Sequence, residues 1–162
     1  MSDEAYGRVT NPERFAPLVT AAKEFADEVA TRFDVDVTRV AGDPGSQVVE
    51  AVHFVPAQDD QAPLIVSFTS FPGVLLDVGA SQRIALPACG CDACEEDVEN
   101  LIGHLNRYLS ALVSGQFYER IVDSMVEHVW EGGNWRNSGR SPIPELRVAM
   151  PEDGRWKRWS PK

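Results

Sequence analysis

The sequence predicts an α+β fold: an antiparallel sheet of three to five strands packed by an N-terminal helix and a C-terminal helical pair. Two observations predict it. Apolar residues recur every three or four positions early in the chain, every second position through its middle, and every three or four again after residue 97. Only short turn-like stretches separate the central runs, which suits antiparallel pairing and leaves no room for the crossover helices of a parallel sheet. With 162 residues and 43% hydrophobic content, the chain suits a single domain, residues 1–162, ending in an irregular Trp-rich tail over 132–162.

Each element follows from its own signals. Asn11-Pro12 offers an N-cap followed by proline at a first helical position, and Pro17 offers a second start. Leu18, Ala22, Phe25, Val29 and Phe33 then share one face of a helix ending near Phe33. Gly42-Asp43-Pro44-Gly45 is turn chemistry, and the β-branched run 48–55 reads as a strand. Leu64, Val66 and Phe68 alternate with Ser67 and Thr69, Phe71-Pro72-Gly73 breaks the run, and Val74, Leu76 and Val78 resume it, which predicts a hairpin. Residues 83–86 supply a short fourth strand closed by Pro87.

Beyond the cysteines, Val98, Leu101, Ile102, Leu105, Leu109 and Leu112 mark a long helix ending at Ser114-Gly115. Phe117, Tyr118, Ile121, Val122, Met125, Val126 and Val129 then suggest a second helix, stopped by Gly132-Gly133. In the tail, only 146–150 has the composition of a strand.

Charge and hydropathy exclude several classes of function. The formal charge of -10 repels phosphate backbones and anionic lipid, so neither nucleic acid nor a membrane surface is the expected partner. No apolar run approaches the roughly 20 residues that span a bilayer. The acidic N-terminus lacks the basic and apolar regions of a signal peptide, and we expect a cytoplasmic protein whose partner is another protein or a small ligand.

The distinctive chemistry is Cys89-Gly90-Cys91-Asp92-Ala93-Cys94, which holds a CxC and a CxxC in six residues. Three thiols so spaced converge on one point if Gly90 lets the backbone fold tightly, and zinc favours thiolate sulfur in tetrahedral sites. Asp92 and Glu95 have capping-box spacing, which would place Asp92 at a helix N-cap and Cys94 in its first turn. A complete zinc knuckle needs a fourth ligand; the candidates are His53, His128 and Asp97, with Asp92, Glu95 or water as further possibilities. On a helix starting at the cysteines, His104 would lie about 15 Å from Cys94, too far to share the metal.

Two other readings stand beside zinc. A CxxC at a helix start can serve as a redox pair, making the protein a thiol-dependent enzyme that uses Cys91 or Cys94, although Asp92, Glu95, Glu96, Asp97 and Glu99 crowd it with negative charge. Equally, the cysteines can be small packing residues in a tight turn. No catalytic constellation emerges elsewhere: Ser67, Ser70, His53 and Asp77 lack a GxSxG elbow. The basic, aromatic tail around Trp156 and Trp159 could stack on bases, but folding back on acidic surface is the stronger expectation.

The segments Pro12-Glu13-Arg14-Phe15-Ala16-Pro17-Leu18, 62–79 with its Phe71-Pro72-Gly73 turn, and Leu86-Pro87-Ala88-Cys89-Gly90-Cys91-Asp92-Ala93-Cys94 together resemble an actinobacterial family of domains of unknown function. The resemblance runs from about Tyr6 to the helices after the cysteines and is weaker in the tail. It implies no activity, substrate or cofactor.

Overall fold

A computed structural model describes residues 7–131, 135–142 and 146–162. The fold is α+β, with a five-stranded antiparallel sheet, two α-helices and a separate three-stranded sheet. A 3-10 turn at Pro12–Phe15 leads into α1, Ala16–Arg32, so the first proline opens the turn and the second opens the helix. The strands β1 (Val35–Ala41), β2 (Val48–Pro56), β3 (Leu64–Thr69), β4 (Val74–Val78) and β5 (Gln82–Leu86) follow as a meander, each hydrogen-bonded to the next.

Register explains which residues reach the core. Val52 pairs with Val66, which pairs with Leu76, which pairs with Ile84. All four are buried, and with Phe54, Leu64, Phe68, Val74 and Val78 they form the inner face. Helix α1 lies over β1, β3 and β4 and packs against α2 (Val98–Val113). Leu18, Ala22 and Val29 of α1 and Leu101, Leu105, Leu109 and Leu112 of α2 join the inner face in one core. Helix α2 ends in a Schellman arrangement: Gly115 sits at φ 74, its N–H donates to the Leu112 carbonyl, and the Gln116 N–H donates to that of Ala111.

The second member of the expected helical pair is a β-hairpin. Residues Phe117–Val122 form β6 and Met125–Trp130 form β7, extended by β8 (Trp135–Pro142) into an antiparallel sheet. Asp123 (φ 50) and Ser124 (φ 63) make a two-residue turn with both centres left-handed, the geometry that joins twisted strands most closely. Along β7 burial alternates strictly, with Val126, His128 and Trp130 inside. In the tail, 146–150 is not a strand, whereas 135–142 is. Residues 1–6 and the expected helix stop at Gly132-Gly133 lie outside the described residues.

Glu119 holds the two sheets together. It is 0% exposed, and its carboxylate accepts hydrogen bonds from the backbone N–H of Ala80 (2.7 Å) and of Ser81 (2.9 Å), from the Ser81 hydroxyl (2.7 Å) and from Trp156 Nε1 (2.8 Å). Because the Ser81 hydroxyl gives its one proton to Glu119, the His128 Nε2–H must be the donor in the 2.8 Å bond between His128 and Ser81 Oγ. The β4–β5 turn forms this cradle because Gly79 adopts φ 61 and lacks a Cβ, which would overlap the Glu119 carboxylate. Burial alone pushes the Glu119 carboxyl up; the bonds from His128, Ala80, Ser81 and Trp156 outweigh it and hold the group below its ordinary value.

The C-terminal segment is stitched into the fold. Trp156 and Trp159 are both 1% exposed, so neither ring is free to stack on a base. The Trp159 indole donates to the Ala62 carbonyl at 2.9 Å, and Lys157 Nζ lies 2.8 Å from Asp60. Among the described residues no helix is long and apolar enough to cross a membrane.

Substituting Glu119→Ala strands four buried or half-buried donors, and we expect it to lower the unfolding free energy in urea by about 3–5 kcal/mol. Since the folded-state pKa of Glu119 lies below the ordinary 4.5, its contribution is complete above that pH and disappears as pH falls through the folded value. Urea unfolding at stepped pH should therefore show a steeper acid loss in the native protein than in Glu119→Gln.

Candidate metal centre

The three cysteines occupy the loop between β5 and α2. The chain leaves β5 through a cis Leu86–Pro87 peptide and folds back on itself before the helix. Helix α2 begins later than the capping-box spacing suggests. Its N-cap is Asp97, whose side chain accepts from the Asn100 N–H at 3.2 Å, so Cys94 precedes the helix instead of lying in its first turn. A turn closes the cysteine run, with the Cys94 N–H donating to the Cys91 carbonyl at 3.2 Å.

This loop brings the sulfurs together. Cys91 Sγ lies 3.1 Å from Cys89 Sγ and 3.4 Å from Cys94 Sγ, and all three fall within 4.8 Å of one another. They are free thiols, with Cys91 buried, Cys89 half-buried and Cys94 exposed. The chemistry is that of a shared charge. Hydrogen bonds from Cys89, from the Gly7 backbone N–H and from Cys94 lower the Cys91 pKa to about 6, while its hydrogen bonds to Cys89 and Cys91, together with burial, raise Cys94 to about 12. One thiolate is readily supported by its neighbours; three require a cation among them.

Carboxylates that surround the cysteines act as fasteners of the backbone. Glu96 accepts from the N–H of Cys89 at 2.9 Å and of Ala88 at 3.3 Å. Asp92 accepts from the Thr10 N–H at 3.1 Å and the Thr10 hydroxyl at 3.0 Å, while its own N–H donates to the Arg8 carbonyl at 2.8 Å. Residues 7–10 thereby lie as a strap across the loop. On another side, the Phe71 ring packs on Gly90, where a Cβ would overlap it, and meets buried Phe15 in a tilted contact, centroids 5.7 Å apart. The Phe71-Pro72-Gly73 turn and the cysteine string are thus one contact surface.

The other candidate ligands are placed elsewhere. His128 bonds Ser81 and faces Glu119 at 3.4 Å, Asp97 caps α2, and His53 lies on β2, opposite Ile65, on the outer face of the sheet. Asp92 and Glu95 also fall outside the sulfur group. Asp77, on that outer face too, is held by both nitrogens of a forked Arg83 contact, at 2.7 and 3.0 Å, and by Arg147 at 3.4 Å. Among the described residues, the sulfur triad is the one group of three or more such donors close enough to hold an ion.

The match to known families covers residues 1–162, the tail included: a family of unknown function, DUF6226. The chain belongs to that family. No curated protein matches it. Nor does any solved structure. Membership therefore assigns no chemistry, and the site must be read from its atoms.

Sequence spacing alone did not reveal the Gly7–Thr10 strap, the Glu96 clasp or the seat of Phe71 on Gly90. The strap joins residues 82 apart and Phe71 meets Gly90 across a whole hairpin, while the Glu96 clasp, though only seven and eight residues long, follows no helix or strand period. Gly90→Ala should force Phe71 from its seat, an overpacking that costs about 1–3 kcal/mol, read as a lower urea midpoint with unchanged slope.

Proposed function

We propose that this protein is a small binding protein of the cytoplasm in which Cys89, Cys91 and Cys94 hold a zinc ion that locks the corner between the main sheet and α2. The convergence of three sulfurs within 4.8 Å carries this reading. Sulfurs held about 2.3 Å from a tetrahedral zinc stand about 3.8 Å apart. The observed 3.1 and 3.4 Å separations need only a small outward movement to admit the ion. Zinc supplies the positive charge that lets all three thiols ionise together, and its role here is to fix the loop that Phe71, Thr10 and Glu96 already orient.

The lowered pKa of Cys91 does not argue for redox catalysis over this role. Its causes are led by the neighbouring thiols themselves, so it is a property of the cluster, and the partner thiol of the CxxC pair moves the opposite way. A structural metal corner uses all three cysteines, whereas a redox pair leaves Cys89 without a part.

Protein purified without added metal should contain close to one equivalent of zinc by mass spectrometry, with Cys89→Ser, Cys91→Ser and Cys94→Ser each reducing it by roughly tenfold or more. Removing the ion with a chelator should lower the melting temperature and expose three titratable thiols. Metal-free protein that instead cycles reversibly between dithiol and a Cys91–Cys94 disulfide would overturn the reading.

A further inference from the structure

Beside the sulfur triad is a cleft of about 450 Å³, within the range that houses small organic ligands. Cys91 is one of its walls, and its sulfur is the one that touches both others, so the cleft borders the residue at the centre of the triad. Phe71, Leu75 and Pro87 supply apolar surface, and Gln47 and Ser70 supply polar atoms. Among the described residues, no Asp, Glu, Lys or Arg lines it. A second depression along β5 differs: Arg83, Glu95, Glu96 and Asp97 line it, and no cysteine does.

Among the described residues no histidine or carboxylate joins the three sulfurs, so a tetrahedral ion there has a fourth position to fill. From this we propose that the fourth position opens into the Phe71 cleft and takes a neutral aromatic nitrogen donor, of the imidazole class, carried on a small apolar molecule. The proposal rests on the metal reading above.

Charge selects the donor. A dication with three thiolates already has a net charge of -1, and the loop around it carries Asp92, Glu95 and Glu96. A fourth anion would add repulsion with no cation in the cleft wall to offset it. Imidazole nitrogen is a good zinc ligand and brings no charge. The ligation is a simple exchange: the nitrogen lone pair forms a bond to the metal, a bound water leaves, and no proton or electron moves. The apolar wall then favours an azole that bears an aromatic or aliphatic substituent.

Cobalt(II) in place of zinc makes the coordination visible by absorption. The cobalt-loaded full chain is titrated with imidazole, 4-phenylimidazole and the anionic thiol mercaptoacetate. Shifted ligand-field bands that saturate with both azoles are expected, with 4-phenylimidazole about tenfold tighter and mercaptoacetate weakest. Leu75→Asp, which places charge in the cleft wall away from the sulfurs, should cut 4-phenylimidazole affinity about tenfold while leaving cobalt uptake unchanged. A full cobalt complement whose spectrum ignores every ligand, or one that prefers the anionic thiol, overturns the open, azole-binding position while leaving the metal corner in place. Absence of cobalt uptake removes the metal corner and this inference together.

Discussion

The fold depends on one buried carboxylate. Glu119 sits on β6, yet its acceptor oxygens are saturated by the turn between β4 and β5 and by the indole of Trp156. A single side chain therefore joins the small sheet, the large sheet and the C-terminal segment. The low dielectric that makes burying this charge costly also strengthens every bond it receives, so the group is stabilising only as a complete set. The aromatic layer beside it depends on the same alignment: Phe117 stacks on Trp130 at 4.2 Å, and Trp130 meets the edge of Tyr108 from α2 at 5.0 Å.

That constraint reaches the cysteine corner through β5. The strand starts next to the turn fixed by Glu119 and ends at Leu86, one residue before Pro87 and three before Cys89. Its partner β4 is pinned from the opposite face, where Asp77 pairs with Arg83 across the hairpin and Arg147 bonds Asp77 together with the Val78 and Gln82 carbonyls. With the β4–β5 hairpin held on both faces, the loop that follows starts from a fixed point. The Phe71 turn at the other end of β4 then meets Gly90, so both ends of one strand help to place the sulfurs.

How much of this was legible in the sequence follows from where polarity and periodicity agree. Helix α1, strands β2 to β5 and helix α2 announce themselves because their inward positions are apolar at the period of their own structure. Strand β1 escaped notice because none of its residues is buried: Val35 and Val37 are half-buried, and Arg39, which follows them on the face of Val52, is exposed and paired to Asp27 and Glu50. The β6–β7 hairpin was disguised by the very residues that matter most: its inward set includes Glu119 and His128, and a reading that follows hydrophobes alone lands on Phe117, Ile121, Met125 and Val129, which mimic a helix. Its turn uses Asp123-Ser124 where Asn-Gly would have been recognisable. Convergence of the three thiols was readable from spacing, because it is local; the strap and the cleft were not, because each joins residues far apart in the chain, and the Glu96 clasp was not, because it closes an irregular loop that no periodicity marks.

The acidic surroundings of the cysteines, which on the sequence alone count against ionised sulfur, have a different consequence in three dimensions. Glu96, Asp92 and Asp97 direct their oxygens toward N–H groups of the loop, the strap and the first turn of α2. Each carboxylate is then partly neutralised by donors, and the donors it holds are those that shape the corner. A loop of this length, with left-handed Glu95 at φ 46 and a buried Cys91, has many backbone groups to satisfy and little regular structure to satisfy them. Carboxylates meet that need more strongly than neutral acceptors do. Negative charge in this sequence segment is therefore explained by the demands of the backbone, and the three sulfurs are left to one another.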